Sequence, residues 1–343
     1  MGVIPFMKLS KKILHMIETE LVENEGFDPE IARLSKEGKD LSKLNSLEKD
    51  RWIEKTLFLL PTTRNRLLIT SQEQKKLRKK IVTVFGLSVG SHAASAWIME
   101  SRANTIKISD PDIVSPTNLN RLDLGWGYVG LSKVEIVKNR LKEINPNCRV
   151  VSSQETSLEN MKSLILSKPK SDLIVDQIDD IQGKVWIRNI AKKNKIPVIM
   201  ATDVGDNVFL DVERYDNDFS VLPFNGRVKG IESIDFSNLT REEKVKLVIQ
   251  IVGVEHNSER MLRSLASIGK SIKTWPQLGT TAVIAGGLVA KTIRKILLGE
   301  KIESKRYYFS IEELLVADYN SKKRIKLREE LSKEITKNIP HAL

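Results

Sequence analysis

Between Asp110 and Lys133 the chain sets out side chains of the kind that hold a nucleotide: Asp110, Asp112, Asn118, Arg121 and Lys133. Either carboxylate can accept hydrogen bonds from ribose hydroxyls. Asn, Arg and Lys together place a neutral donor and two cations against a polyphosphate. The aspartates read as well as solvated loop carboxylates, and each other residue has ordinary structural uses; the ordered set is what points to chemistry. Just before it, Gly86-Leu87-Ser88-Val89-Gly90-Ser91 has the make-up of a phosphate cradle. Glycine lets backbone approach phosphate, and a helix N-terminus offers free N–H groups and a favourable dipole. As a dinucleotide fingerprint the loop is a residue short, with Ser88 in the place of the second glycine, so a structural tight turn accounts for it equally. Farther on, Asp176-Gln177-Ile178-Asp179-Asp180 brings carboxylates to the end of another apolar run. A carboxylate facing a triphosphate is a usual protein ligand of magnesium; Asp179 alone reads equally as a helix N-cap.

These residues need a scaffold that ends apolar strands along one edge. Residues 81–85 and Thr105–Ser109 have strand patterns, and a helix opened by Ser91 lies between them, with Ala93, Ala94, Trp97, Ile98 and Ser101 on one face. The helical pattern of 131–144, with Val134, Val137, Leu141 and Ile144 on one face, is stopped by Asn145-Pro146. Strand patterns at 149–152, 173–175 and 197–201 alternate with helical ones at Leu158–Leu166 and 182–194. That alternation predicts an α/β fold, a Rossmann-like, doubly wound, mostly parallel sheet, with an antiparallel extension beginning at 207–215. Residues 7–60 read as an amphipathic helical arm, with Ile13, Ile17 and Leu21 at helical spacing, and a basic helix follows from Ser71. The predicted division is a helical extension over 1–63, a nucleotide-binding domain over 64–300 and a tail over 301–343. Within the domain, 216–274 is a polar insertion with a helix at 240–251, and Gly279–Leu298 is a helix rich in small residues. The tail reads as a strand at 307–310 and a basic, partly mobile helix from Ser321.

Composition narrows the partners. A chain of 343 residues with 41% hydrophobic and 29% charged content is an ordinary globular protein, and its net charge of +12 suits nucleotides, nucleic acid or an acidic protein. Cys148 is the single cysteine, which rules out an intrachain disulfide and a Cys-based zinc site. His15, His256 and His341 are too scattered for a metal site; His92, at the start of the first helix near the expected phosphates, reads as a helix-surface residue in preference to a nucleotide sensor. The opening MGVIPFMKLSKK has too short an apolar run for a signal peptide, and Phe6 stands where a myristoylation motif takes Ser or Thr. Gly279–Leu298 carries Lys291, Arg294 and Lys295, so it reads as a packed helix, not a membrane span. The expectation is a soluble cytoplasmic protein with no membrane partner.

Taken in order, Arg64-Asn65-Arg66, the loop 86–91, Asp110-Pro111-Asp112, Asn118-Leu119-Asn120-Arg121, Gly130-Leu131-Ser132-Lys133, Asn145-Pro146 and Asp176-Gln177-Ile178-Asp179 resemble the motif series of the ThiF/MoeB-type superfamily, bacterial relatives of ubiquitin-activating enzymes. The resemblance covers about residues 64–215, and Gly279–Leu298 resembles the family's late glycine-rich helix. It implies an ATP- and Mg2+-dependent adenylyltransferase, acting as a homodimer, that activates an acceptor as an AMP adduct. The acceptor is commonly the C-terminal carboxylate of a small ubiquitin-like protein or peptide; a modified tRNA base is the other option. By the same resemblance Gly86, Ser88, Gly90 and Asp112 belong to the nucleotide site and Asp110 holds the ribose. Asn118, Arg121 and Lys133 hold the phosphates, Asp179 ligates magnesium, and Arg66, in preference to Arg64, reaches the phosphates from the partner subunit. The physics agrees, because attack on the α-phosphate gathers negative charge that fixed cations and a metal neutralise.

The departures are equally specific. No cysteine stands in the later region where many relatives carry a transfer cysteine, the Cys-x-x-Cys zinc pairs are missing, and Asp180 replaces a frequent Asn. Cys148, at the start of an expected buried strand, reads as a small core residue. The favoured chemistry is adenylation with no thioester step. The alternatives are a nucleotide-binding scaffold of the same fold that has lost turnover, and an NAD-dependent oxidoreductase, which leaves Asn118, Arg121 and Lys133 without a task.

Overall fold

Strands buried on both faces lose the polar alternation of half-exposed ones. That is the case for β1 (Val82–Phe85) and β2 (Thr105–Ser109), which are buried along their whole length. β3 (Arg149–Ser153) is half-exposed; β4 (Leu173–Asp176), β5 (Val198–Val204) and β6 (Asn207–Glu213) are again almost wholly buried. With β7 (Lys305–Ser310) they form one seven-stranded sheet in the order β3-β2-β1-β4-β5-β6-β7. The first five strands run parallel, β6 pairs antiparallel with β5, and β7 antiparallel with β6. The computed structural model describes residues 9–338, so the reading of the first residues as neither leader nor lipid site, and His341, lie outside them. The expected Rossmann-like, doubly wound sheet with an antiparallel extension is the observed one. β3 differs from expectation: it is an edge strand and not a buried one, although Cys148 beside it is 4% exposed.

Helices precede and cover this sheet. An N-terminal arm consists of α1 (Lys11–Asn24), α2 (Pro29–Lys39) and α3 (Ser46–Leu59). Its Leu21, Ile31, Leu34, Trp52 and Ile53 form a core of their own, where the Trp52 indole N–H donates to the Leu34 carbonyl at 2.9 Å. Of the Ile13–Ile17–Leu21 stripe only Leu21 is fully buried; Ile13 stays exposed. After α4 (Ser71–Arg78), the helices α5 (Val89–Ser101) and α6 (Lys133–Ile144) cover one sheet face. α7 (Leu158–Leu166) and α8 (Ile181–Asn194) cover the other. The insertion holds α9 (Arg241–Val252) and α10 (Glu259–Leu265), and α11 (Gly279–Leu298) returns to pack on α5. There Gly286 leaves no room for a Cβ against His92 and the Ala93 backbone, so a side chain would force the two helices apart.

The chain ends with α12 (Ile311–Leu315) and α13 (Lys322–Asn338). α13, expected to be partly mobile, is docked: Ile335 is 2% exposed against Met261, Leu262 and Leu265 of α10. A buried ionic chain ties the sheet centre together. Arg188 of α8 donates to Asp176 at 2.6 Å and pairs with Glu213 at 2.9 Å, and Tyr215 donates to Glu213 at 2.9 Å. All of this sits behind the carboxyl edge of β4 and fixes where that edge ends.

Candidate functional site: the carboxyl edge at the switch point

The chain leaves β1 toward β2 and β3 on one side and returns to β4 on the other, so the strand order reverses at β1. In open α/β sheets ligands bind outside the carboxyl ends of the strands at such a point. Two loops meet there. Gly86 has φ +84°, and a Cβ on it would overlap the Gln177 carbonyl after β4; a Cβ on Gly90 would lie 3.0 Å from Val84 Cγ1. The glycines therefore let the β1–α5 turn press onto the β4–α8 loop. α5 starts at Val89, two residues before the expected Ser91. Ser88, in the capping position, gives no side-chain bond, and the Ser91 hydroxyl donates to the Ser88 carbonyl at 2.7 Å. α1–α4 and α6–α10 each have a side-chain N-cap, whereas α5 and α11 have none. The N–H groups of Val89 and Gly90 at the start of α5 thus have neither an intrahelical nor a capping partner, the condition for holding an anion, while Ser91 N–H donates to the Ser88 carbonyl at 3.2 Å.

Asp110 is 4% exposed and organises this loop from below. Its Oδ2 accepts from Leu87 N–H at 2.6 Å and its Oδ1 from Asp112 N–H at 2.8 Å. Burial pushes its carboxyl above the ordinary range, against the pull of Lys133. Lys133 opens α6, is itself buried, and donates from Nζ to Asp112 Oδ2 at 2.8 Å while lying 3.9 Å from Asp110. The Asp112 side chain is exposed. Asn118 is buried, and its Oδ1 accepts from Ser115 N–H at 3.1 Å. Arg121 donates from Nη1 to the Thr117 carbonyl and Asn120 Oδ1, both at 3.0 Å, while its Nε is buried without a partner. His92 is a half-buried residue between α5 and α11, not a helix-surface one, and its Nε2 lies 2.7 Å from the Arg121 carbonyl.

The acidic run after β4 divides its labour. Asp180, not Asp179, caps α8, accepting from Gly183 N–H at 2.6 Å. Asp179 is exposed and takes no hydrogen bond from the described residues. Arg66 is not with this group: it pairs with Asp28 of the arm at 3.3 Å. Sequence reasoning passed over Asp203, at the carboxyl end of β5. It is 6% exposed, burial raises its carboxyl, Arg121 pulls it down and Asp179 pushes it up, so the three share one electrostatic neighbourhood. Its one signal in the sequence is a carboxylate inside an otherwise apolar strand pattern. Among the described residues no three His, Cys, Asp or Glu side chains form a metal-holding group. Magnesium that travels with nucleotide needs only one or two protein carboxylates, and Asp179, free of partners, fits that use.

A doubly wound sheet with an uncapped helix behind a glycine turn at the switch point defines the class: a Rossmann-like α/β domain. The particular family follows from sequence comparison: the ThiF family matches residues 62–332, and the chain belongs to it. It is thus a ThiF/MoeB-type, ubiquitin-activating-enzyme-like protein with one cysteine, and family membership implies the nucleotide binding typical of that superfamily. MT1398 of Mycobacterium tuberculosis (strain CDC 1551 / Oshkosh) is 32% identical over 244 residues, 71% of this chain and 33% of that protein. The tRNA threonylcarbamoyladenosine dehydratase 1 of Saccharomyces cerevisiae (strain ATCC 204508 / S288c) is 24% identical over 268 residues, 74% of this chain and 61% of that one. The chain therefore spans between a third and three fifths of the length of these relatives. A crystal structure of PaaA shares the fold with a TM-score of 0.51 at 21% identity, covering 79% of this chain and 82% of that one. No helix among the described residues is long and apolar enough to cross a membrane.

Proposed function

We propose that the switch-point edge binds Mg-ATP and that the chain adenylates an acceptor with no cysteine thioester step. The observation that carries this reading is the uncapped N-terminus of α5, flanked by buried Lys133 and by an Arg121 guanidinium with unused donors. In this assignment Gly86, Ser88 and Gly90 seat the phosphates on the α5 N–H groups, and Asn118, Arg121 and Lys133 bind phosphate oxygens. Asp110 and Asp112 serve the ribose; Asp112 is the exposed one, because the Asp110 oxygens already accept two backbone N–H groups. Asp179 ligates magnesium, which when bound supplies charge neutralisation at the phosphates. An acceptor oxygen attacks the α-phosphorus, forming the acceptor–AMP bond as the α–β P–O bond breaks and pyrophosphate leaves. Arg121 and Lys133 offset the charge that develops.

Buried Cys148, its thiol pushed up to about 12 by burial, is a poor nucleophile, which supports direct attack on the adenylate. In the same assignment, by family resemblance, Arg66 reaches the phosphates of a partner subunit in a homodimer; within its own chain it pairs with Asp28. Two acceptors deserve trial: the carboxylate of a peptide or ubiquitin-like protein, and threonylcarbamoyl-adenosine in tRNA. The tRNA dehydratases among the relatives favour including the second. Pyrophosphate–ATP exchange with each acceptor tests the proposal; exchange is expected with one of them. Tight ATP binding without exchange on any acceptor leaves the scaffold reading, and NADH binding with no ATP binding overturns the assignment.

A further inference from the structure

Among the described residues the buried carboxylates are Asp110, Asp176, Asp203, Asp211 and Glu213. Four have a cation within ion-pairing distance: Asp110 has Lys133, Asp176 and Glu213 share Arg188, and Asp211 has Arg306. Asp203 has none. Its Oδ1 and Oδ2 accept from the single Gln277 side-chain amide at 3.2 and 3.1 Å. A neutral amide orients a buried carboxylate but does not offset the cost of removing its charge from water. A cation held at this edge would offset that cost; without one, only protonation of the carboxyl does.

The topology says which edge that is. β4 and β5 pair Val175 with Ile199, and four residues on from each stand Asp179 and Asp203. Asp203 stands near the carboxyl end of β5, and Asp179 lies in the loop just past the carboxyl end of β4, its parallel neighbour. The Gln277 backbone carbonyl in turn accepts from Asn120 Nδ2 at 2.7 Å, and Asn120 Oδ1 accepts from Arg121. The orientation of the Asp203 carboxylate is therefore built into the same scaffold that sets Arg121. Groups that hydrogen-bond a ligating carboxylate and fix its direction are typical of divalent-cation sites.

We propose that Asp203 is a second protein ligand, beside Asp179, for the divalent cation carried by the nucleotide. The inference rests on the Mg-ATP reading of the edge. It differs from that reading in naming a residue the motif series does not contain and in giving Gln277 the task of aiming it.

The test is calorimetric titration of the full chain with ATP, with and without Mg2+, and needs no acceptor. In the wild type the metal is expected to tighten ATP binding. Asp179→Asn and Asp203→Asn are each expected to reduce that gain at least tenfold while metal-free ATP binding stays within about twofold. Asp203→Asn is also expected to melt no lower than wild type in metal-free buffer, since it removes an uncompensated buried charge. Asp203→Ser is the second variant should the amide fail to fold. If the wild type binds no ATP, the reading of the edge itself falls. If Asp179→Asn loses the metal gain but Asp203→Asn and Asp203→Ser keep it, only the present inference falls. Loss of metal-free ATP binding in the Asp203 variants, with a lowered melting point, likewise overturns it and leaves Asp203 as an anchor for Gln277.

Discussion

Replacing Arg121 by Ala isolates the phosphate reading from the fold. A guanidinium carries five N–H donors, and Nη1 is already committed to the Thr117 carbonyl and Asn120 Oδ1. That leaves Nε, buried and without a partner, and Nη2, which together present the bidentate edge an arginine uses on phosphate. Hydrogen bonds to charged groups contribute about 1.5–3 kcal/mol each. Allowing for shared desolvation, losing the pair is expected to cost about 2–3 kcal/mol, a roughly 30- to 150-fold rise in the Kd for Mg-ATP. The in-chain bonds lost run to neutral acceptors at a part-exposed turn, so the denaturation midpoint shifts little. Arg121→Lys keeps the charge but not the fork and recovers only a minor part of the affinity. Isothermal titration with Mg-ATP, paired with urea unfolding, measures both quantities. A Kd within twofold of wild type in a folded Arg121→Ala protein would refute the reasoning, because an unused buried donor would then have no ligand to serve.

Asp179 and Asp180 separate cleanly. Asp180→Ala removes the α8 cap and is expected to lower stability by about 1 kcal/mol with Mg-ATP affinity unchanged, whereas Asp179→Ala should leave stability alone and weaken Mg-dependent binding. Arg188→Met strands Asp176 and Glu213 without their shared cation; a loss of about 3–5 kcal/mol is expected from urea unfolding, and under 1 kcal/mol would mean the pair is not what ties β4 to β6. The Cys148 thiol, pushed up to about 12, should resist iodoacetamide at pH 8 in the native protein and react on unfolding. Cys148→Ala should keep exchange activity; loss of exchange in a folded variant would return the thioester step to consideration.

What the sequence shows of this molecule is decided by how local each cause is. The runs around β1 and β2 and the helices facing them are legible because burial on both faces leaves a continuous apolar signature, and the order of Asp110, Asn118, Arg121 and Lys133 survives as spacing. The two readings open for Asp179, metal ligand or cap of α8, separate only in the structure, since Asp179 and Asp180 are chemically identical and only the backbone decides which faces Gly183 N–H. His92 could not be placed from its own helix, because what buries it is the absence of a side chain at Gly286, far away in sequence. Asp203 was missed for a related reason: a lone carboxylate in a strand pattern looks like the strand's end. Its meaning depends on which carboxylates elsewhere found cations, a count possible only after folding. Near the switch point, then, a residue's function lies less in its motif than in its unmet electrostatic need. Asp110 illustrates the converse, a motif aspartate whose oxygens the fold has already engaged with Leu87 and Asp112. If the Mg2+-dependent part of nucleotide binding proves sensitive to Asp203, and binding itself sensitive to Asp112 but tolerant at Asp110 beyond its effect on loop stability, unmet need is the better guide to this edge.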